Sequence, residues 1–269
     1  MSDQIRSVSP RIIAVANQKG GVGKTTTAIN LAAALVANGM RVLIVDLDPQ
    51  GNASTGLGID GQDRDLTTYD LLLDDVALAD VVKPTSTEGL LIIPATVDLS
   101  SADIELFSTE KRSFLLHDAL RQPAIDGFHL DYILIDCPPS LSLLTVNAMV
   151  AAHSVLVPLQ SEFFALEGLS QLMMTIREVR QTANPGLRIE GVVLTMYDMR
   201  NKLSLQVEQD ARENLGELVF KTVIPRNVRV SEAPSFAVPV LDYDANSRGA
   251  QAYLELAREL LHNNAVMAA

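Results

Sequence analysis

One cysteine in 269 residues, Cys137, leaves no pair from which a disulfide framework could be built. Cations are also scarce. Twenty-one Lys and Arg against 33 Asp and Glu give a formal net charge of −12, which argues against a chain that coats nucleic acid by bulk electrostatics and confines any such contact to a local patch. No stretch reaches the uncharged apolar length of a membrane span, and the start Met1-Ser2-Asp3-Gln4-Ile5-Arg6 lacks the apolar h-region of a signal peptide. The expectation is a cytosolic protein. His117 and His129 stand apart from any cluster of acids and cysteine, so metal ligation by histidine is not expected.

What is present is apolar bulk and glycine in one place. Hydrophobic residues make up 48% of the chain, enough for a single large α/β domain over residues 11–262, between a polar leader at 1–10 and a tail at 263–269 expected to fray. The apolar run Arg11 to Ala16 reads as a strand, and Ile29, Leu31, Ala32, Leu35 and Val36 recur at helical spacing. Between them lies Asn17-Gln18-Lys19-Gly20-Gly21-Val22-Gly23-Lys24-Thr25-Thr26-Thr27. At a strand-to-helix turn, three glycines let backbone N–H groups converge on anionic oxygens, and the new helix adds its positive end. Lys24 is then placed for the β and γ phosphates of a nucleotide, and the Thr25 hydroxyl for Mg²⁺. The usual phosphate-loop pattern fails at its first glycine, because Gln18 stands five before Gly23, and an additional lysine, Lys19, sits at the mouth of the loop.

Two more strands end in acids. Arg41 to Val45 is too continuously apolar to face water on either side and delivers Asp46-Leu47-Asp48-Pro49-Gln50-Gly51-Asn52. Asp46 and Asp48, at i and i+2, point to one side. Tyr132 to Asp136 is similar, leads into Cys137-Pro138-Pro139-Ser140, and has the form of a Walker B strand. Alternating helices and strands continue: strands at 154–158, 189–196 and 219–224, and helices at 143–151, to about Thr182, from about Leu203 and through Leu261. Within the helix to Thr182, Leu169, Leu172, Met173, Met174 and Ile176 form a stripe expected to face the core. Between 53 and 130 the pattern gives short helices within 66–82, a strand at 89–94, and helices at 101–107 and 110–120, none with evident chemistry. The architecture expected is a doubly wound, mostly parallel α/β sheet with its ligand at the carboxyl edge. Residues 188–230 hold seven Lys or Arg against six acids, which makes the C-terminal third the least acidic large region.

The string A-N-Q-K-G-G-V-G-K-T-T-T resembles the deviant Walker A class of P-loop ATPases, and within it the ParA/Soj-type chromosome and plasmid partition proteins. D-L-D-P-Q-G-N, I-L-I-D-C-P-P-S, Q-S-E-F-F-A-L-E-G and P-R-N-V-R-V-S-E-A-P-S agree with that family, over Ile12 to about Leu260. The resemblance implies ATP and Mg²⁺ as ligands, bound by Lys19, Gly20, Gly21, Val22, Gly23, Lys24, Thr25 and Thr26. It places Pro225 and Asn227 beside the adenine, Thr25 and Asp136 at the metal, and Asp46 behind the metal through water. It further implies that Lys19 acts across an ATP-dependent sandwich homodimer and that Asp48 orients the attacking water. Arg200 and Arg229, with Lys202, are implied in nonspecific binding to double-stranded DNA, and a ParB-type partner stimulates hydrolysis. An iron–sulfur relative of this ATPase class would need paired cysteines that are absent. The rival within the class is a MinD-like membrane-cycling ATPase, which ends in a basic amphipathic helix; no Lys or Arg follows Arg258 here.

Overall fold

A computed structural model describes residues 9–74, 76–105, 111–162 and 165–268, without the side chains of 103, 104, 165–167, 267 and 268. Leu106, Phe107, Phe163 and Phe164, and the leader as far as residue 8, lie outside the described residues. Seven strands form one sheet: β1 Arg11–Val15, β2 Val42–Asp46, β3 Lys83–Pro84, β4 Leu90–Ile93, β5 Tyr132–Asp136, β6 Ser154–Gln160 and β7 Arg188–Thr195. Their order is β3-β4-β2-β5-β1-β6-β7, parallel throughout except for the two-residue β3.

Both faces of the sheet are covered, which is why its strands read as unbroken apolar runs. Ile13 and Val15 of β1, Val42 and Ile44 of β2, and Tyr132 and Leu134 of β5 pack on one side. That side is closed by α1 Lys24–Ala37, α2 Asn52–Gly56, α10 Val228–Glu232, α11 Val240–Tyr243 and α12 Arg248–Ala268. Their alternates Ile12, Ala14, Leu43, Val45, Ile133 and Ile135 face the other layer. There lie α3 Thr68–Leu73, α4 Leu78–Val81, α5 Leu99–Glu105, α6 Leu115–Ala119, α7 Leu143–Ala151, α8 Ala165–Thr182 and α9 Lys202–Leu215. The chain leaves β1 towards β2 on one side, while β5 crosses to β6 on the other. The carboxyl end of β1 is therefore the topological switch point, where open α/β sheets bind their ligands.

Three expectations need correction. Residues 219–224 do not form a strand: only the isolated bridges Val192 to Val219 and Tyr197 to Pro225 are made. Phe220 N–H bonds Val192 and Ile224 N–H bonds Leu194, so three intervening residues arch over a span in which β7 has one. The N–H groups of Lys221 and Thr222, inside the arch, are taken by the Glu259 carboxylate at 2.7 and 2.9 Å. The tail expected to fray from Asn263 is helical to Ala268, and Asn264, buried, donates to the Tyr132 hydroxyl at 3.4 Å. The methionine pair divides: Met173 packs on the core, whereas Met174 is 61% exposed.

Candidate nucleotide and phosphate site

The loop after β1 is tied down from both sides. Asn17 Nδ2 donates to the Pro158 carbonyl at 2.7 Å, and its Oδ1 accepts from Lys19 N–H at 3.0 Å. Gly21 and Gly23 have φ of 75° and 85°, the left-handed region where a side chain would be strained. Val22 is buried between them, and its carbonyl accepts from the Thr195 hydroxyl at 2.8 Å. Gly23 is the N-cap of α1 and offers no side-chain cap, so the first N–H groups of a 14-residue helix are left for an anion. Lys24 bends back across the loop, its Nζ donating to the Lys19 carbonyl at 3.1 Å. Burial lowers its pKa, with Asp136 the foremost group acting the other way.

Asp46 and Asp136 are register partners on β2 and β5, and both are fully buried. Their surroundings differ. Asp46 accepts from Ser54 N–H at 2.9 Å, the Ser54 hydroxyl at 2.6 Å and Asp48 N–H at 3.3 Å. Burial nevertheless pushes its pKa up to about 6, the Ser54 bonds only partly offsetting it. Among the described residues neither oxygen of Asp136 has a hydrogen-bond partner in normal geometry, although Thr25 is beside it. Burial, reinforced by the Asp46 charge, raises its pKa well above the usual carboxylate value. Cys137, equally buried, has its thiol pKa pushed up by the same burial and is no candidate nucleophile. Asp48 is almost buried and its Oδ1 accepts from Gln50 N–H at 2.9 Å.

Among the described residues no group of three or more His, Cys, Asp or Glu could hold a metal on protein ligands alone. A Mg²⁺ ion that takes most of its ligands from phosphates and water does not need one. An orphaned buried carboxylate next to a threonine hydroxyl and a helix N-terminus fits such an ion.

Sequence reasoning missed the framework behind these acids. Ser54 joins Asp46 to the Ala95 N–H, which its hydroxyl accepts at 3.0 Å. Arg64 spans the Ile59 and Ala95 carbonyls and the Thr55 hydroxyl, at 2.7 to 3.0 Å. It lies against Gly51, where a Cβ would come within 2.4 Å of Nη1, so the glycine before α2 makes room for the guanidinium.

A cavity of about 250 Å³ opens beside Gly23 and Thr26 and runs to Pro225 and Asn227, the two residues expected beside a base. Asn227 caps α10 through Oδ1, at 2.9 Å from Arg229 N–H, which leaves its Nδ2 as the donor. Met196, at φ 51°, Ser231, Pro234 and Tyr253 also line it; Ser231 and Pro234 lie in the segment that matched the family, whereas nothing in the sequence pointed to Met196 or Tyr253. Lys19 turns away from this site and pairs with Glu162 at 3.0 Å.

The residues expected at DNA are exposed and, except for Lys202, locally paired. Arg200 forms a two-pronged pair with Asp198, at 3.0 and 2.9 Å, and holds that carboxyl down to about 2. Arg229 pairs with Glu232 at 2.9 Å and Asp244 at 3.4 Å, and lies 5.9 Å from the Tyr243 ring centre. Lys202 has no ion pair among the described residues.

A family model described as an AAA domain matches residues 10–189. The chromosome partitioning protein ParA of Caulobacter vibrioides is 60% identical, covering 93% of this chain and 94% of its own. The sporulation initiation inhibitor protein Soj of Bacillus subtilis is 53% identical, over 94% and 99%. Among solved structures, a Mycobacterium smegmatis protein named cobyrinic acid a,c-diamide synthase, with bound ATP analogue and magnesium, is 41% identical with TM-score 0.81, covering 94% of each chain. The Pyrococcus furiosus cell division ATPase MinD is 30% identical with TM-score 0.76, over 94% and 98%. On sequence and fold together, the chain belongs to the ParA/Soj family of chromosome-partitioning ATPases.

Proposed function

We propose that this protein is a DNA-partitioning switch of the cytoplasm and nucleoid, in which ATP builds a sandwich dimer that binds double-stranded DNA nonspecifically, and slow hydrolysis stimulated by a ParB-type partner undoes it. Lys24 and the N–H groups of Gly20 to Thr26 hold the phosphates, and the cavity at Pro225 and Asn227 takes the base. Thr25 and Asp136 hold Mg²⁺, with Asp46 kept behind them by Ser54. When bound there, Mg²⁺ would supply positive charge to neutralise the phosphate oxygens. Asp48, at the edge of the same cleft, orients the attacking water and acts on turnover more than on binding.

The observation that carries the dimer is Lys19. A lysine meant for its own nucleotide would fold over the loop, as Lys24 does. Lys19 instead pairs with Glu162, beyond the end of β6, and both side chains are partly exposed. Such a pair holds by less than about 1 kcal/mol and exchanges readily for a phosphate on a second copy. In Lys19→Ala, ATP still binds but the ATP-induced doubling of mass in light scattering disappears; in Lys24→Ala nucleotide binding itself is lost. A wild-type ATP dimer in Lys19→Ala overturns the reading. Pelleting with DNA and with anionic liposomes, each with ATP, separates this function from a membrane-cycling one.

A further inference from the structure

At the opposite edge of the sheet the amino ends of β1, β6 and β7 meet in a notch of about 270 Å³ lined by Ser9, Pro10, Arg11, His153, Gly186 and Arg188. Backbone bonds fix its geometry: His153 N–H donates to Ile12 at 2.8 Å, and Arg188 N–H to His153 at 3.2 Å. Ile12 N–H donates to His153 Nδ1 at 2.9 Å. The neutral imidazole therefore carries its proton on Nε2, as a donor.

Charge here is unbalanced, in a protein that is otherwise acidic. Glu190 covers Arg11: its buried Oε2 accepts from Arg11 Nη2 at 2.6 Å and from the Ser154 hydroxyl at 2.5 Å. Arg188 has no hydrogen bond or ion pair through its side chain among the described residues. The Nε atoms of Arg11 and Arg188 are both buried without an acceptor. A third guanidinium, Arg121, acts on His153 from the side and spends its own bonds on the His117 and Ala151 carbonyls. Buried donors without acceptors each destabilise by about 1–3 kcal/mol, so Arg188, half-buried on the cavity wall with no side-chain partner among the described residues, signals an absent acceptor.

We propose that this notch, walled by Arg11, His153 and Arg188, binds a small doubly charged oxyanion: phosphate, or the phosphate end of a small ester. The Arg188 guanidinium, the Arg11 N–H groups that Glu190 leaves free and one imidazole N–H match a tetrahedral anion with several acceptor oxygens. The volume admits a phosphate and a few further atoms. The site is independent of the phosphate loop, being at the other end of β1. Its ligand would join the amino ends of β1 and β7 and stabilise the fold by mass action.

The test uses the full chain saturated with Mg²⁺ and a nonhydrolysable ATP analogue, so that the β and γ phosphate positions of the nucleotide site are filled. Inorganic phosphate is titrated against chloride at equal ionic strength, and the imidazole signals of the four histidines are followed by NMR. Expected is a saturable shift of one imidazole, assigned through His153→Gln, with phosphate affinity weakened about tenfold or more in Arg188→Gln and analogue affinity unchanged. Glycerol 3-phosphate in the same titration separates the two sources, tighter binding pointing to an ester. No saturable shift, or one that survives Arg188→Gln, overturns the proposal.

Discussion

Asp136→Asn should stabilise the nucleotide-free protein and abolish its response to Mg-ATP. The native carboxylate is fully buried with no hydrogen-bond partner in normal geometry on either oxygen among the described residues, so ionising it in the fold is costly. Asp46 sets the scale. With three donors it still titrates at about 6 against the usual 3.8, which makes its ionisation about 3 kcal/mol harder in the fold than in the unfolded chain. Asp136 lacks those donors, but its charge is the foremost one supporting the Lys24 ammonium, and the variant forfeits that support. The expected net gain near pH 8 is about 1–2 kcal/mol, or roughly 2–6 °C in Tm. Because both acids are raised, the native state holds more protons than the unfolded chain above the ordinary carboxylate pKa, and wild-type stability falls as pH rises through the raised values. The variant loses the Asp136 share of that slope, so the two proteins converge towards pH 4 and separate above it. Urea unfolding at several pH values in chelator, then with Mg-ATP, reads both effects. A variant less stable than wild type at pH 8, or equally stabilised by Mg-ATP, refutes the argument that this carboxylate is kept unpaired for an ion.

Asp48→Ala should bind ATP and accumulate the DNA-competent dimer while hydrolysis falls; turnover at the wild-type rate with the partner present would remove Asp48 from the mechanism. Ser54→Ala removes a hydrogen bond to a carboxylate and leaves the Ala95 N–H without its acceptor, so a loss of about 3 kcal/mol in urea unfolding is expected, and a change under 1 kcal/mol would show that the framework is redundant. Arg200→Glu and Arg229→Glu should eliminate DNA binding while sparing ATP binding and dimer formation, and each Arg→Ala should lower the salt slope by about one per lost contact, hence about two per dimer. Unchanged slope and affinity in both charge reversals would move the DNA surface elsewhere.

The central strands were legible because their chemistry is local. An apolar run without alternation requires cover on both faces, and β1, β2 and β5 have it. The glycine loop was legible for the same reason, since Gly21 and Gly23 need left-handed φ wherever the rest of the chain goes. What escaped depends on partners far along the chain. Val219 to Ile224 has the composition of a strand, but Glu259 captures two of its N–H groups, and nothing near residue 220 announces that. Ser54 and Arg64 read as ordinary polar loop residues. Only the fold brings one under Asp46 and the other against Gly51, and the room at Gly51 is visible only once the guanidinium is seen beside it.

The arginines show the limit of counting charges. Residues 188–230 are nearly neutral by composition, yet the accessible charge is lower still, because Arg200 is matched by Asp198, and Arg229 by both Glu232 and Asp244. Of the three residues proposed at DNA, a single copy would thus present only Lys202 without an ion pair among the described residues. Exposed pairs of this kind are each worth roughly 0.2–1 kcal/mol, too little to keep an arginine from a phosphate but enough to subtract from every contact. Counterion release grows with the number of phosphates neutralised, while the penalty for freeing each arginine stays fixed. Two copies held side by side double the contacts on one duplex and incur the loss of translational freedom once. If the proposed dimer binds DNA through these arginines, the local ion pairs would be part of the gate, holding the isolated chain below useful affinity and leaving the ATP-bound pair above it.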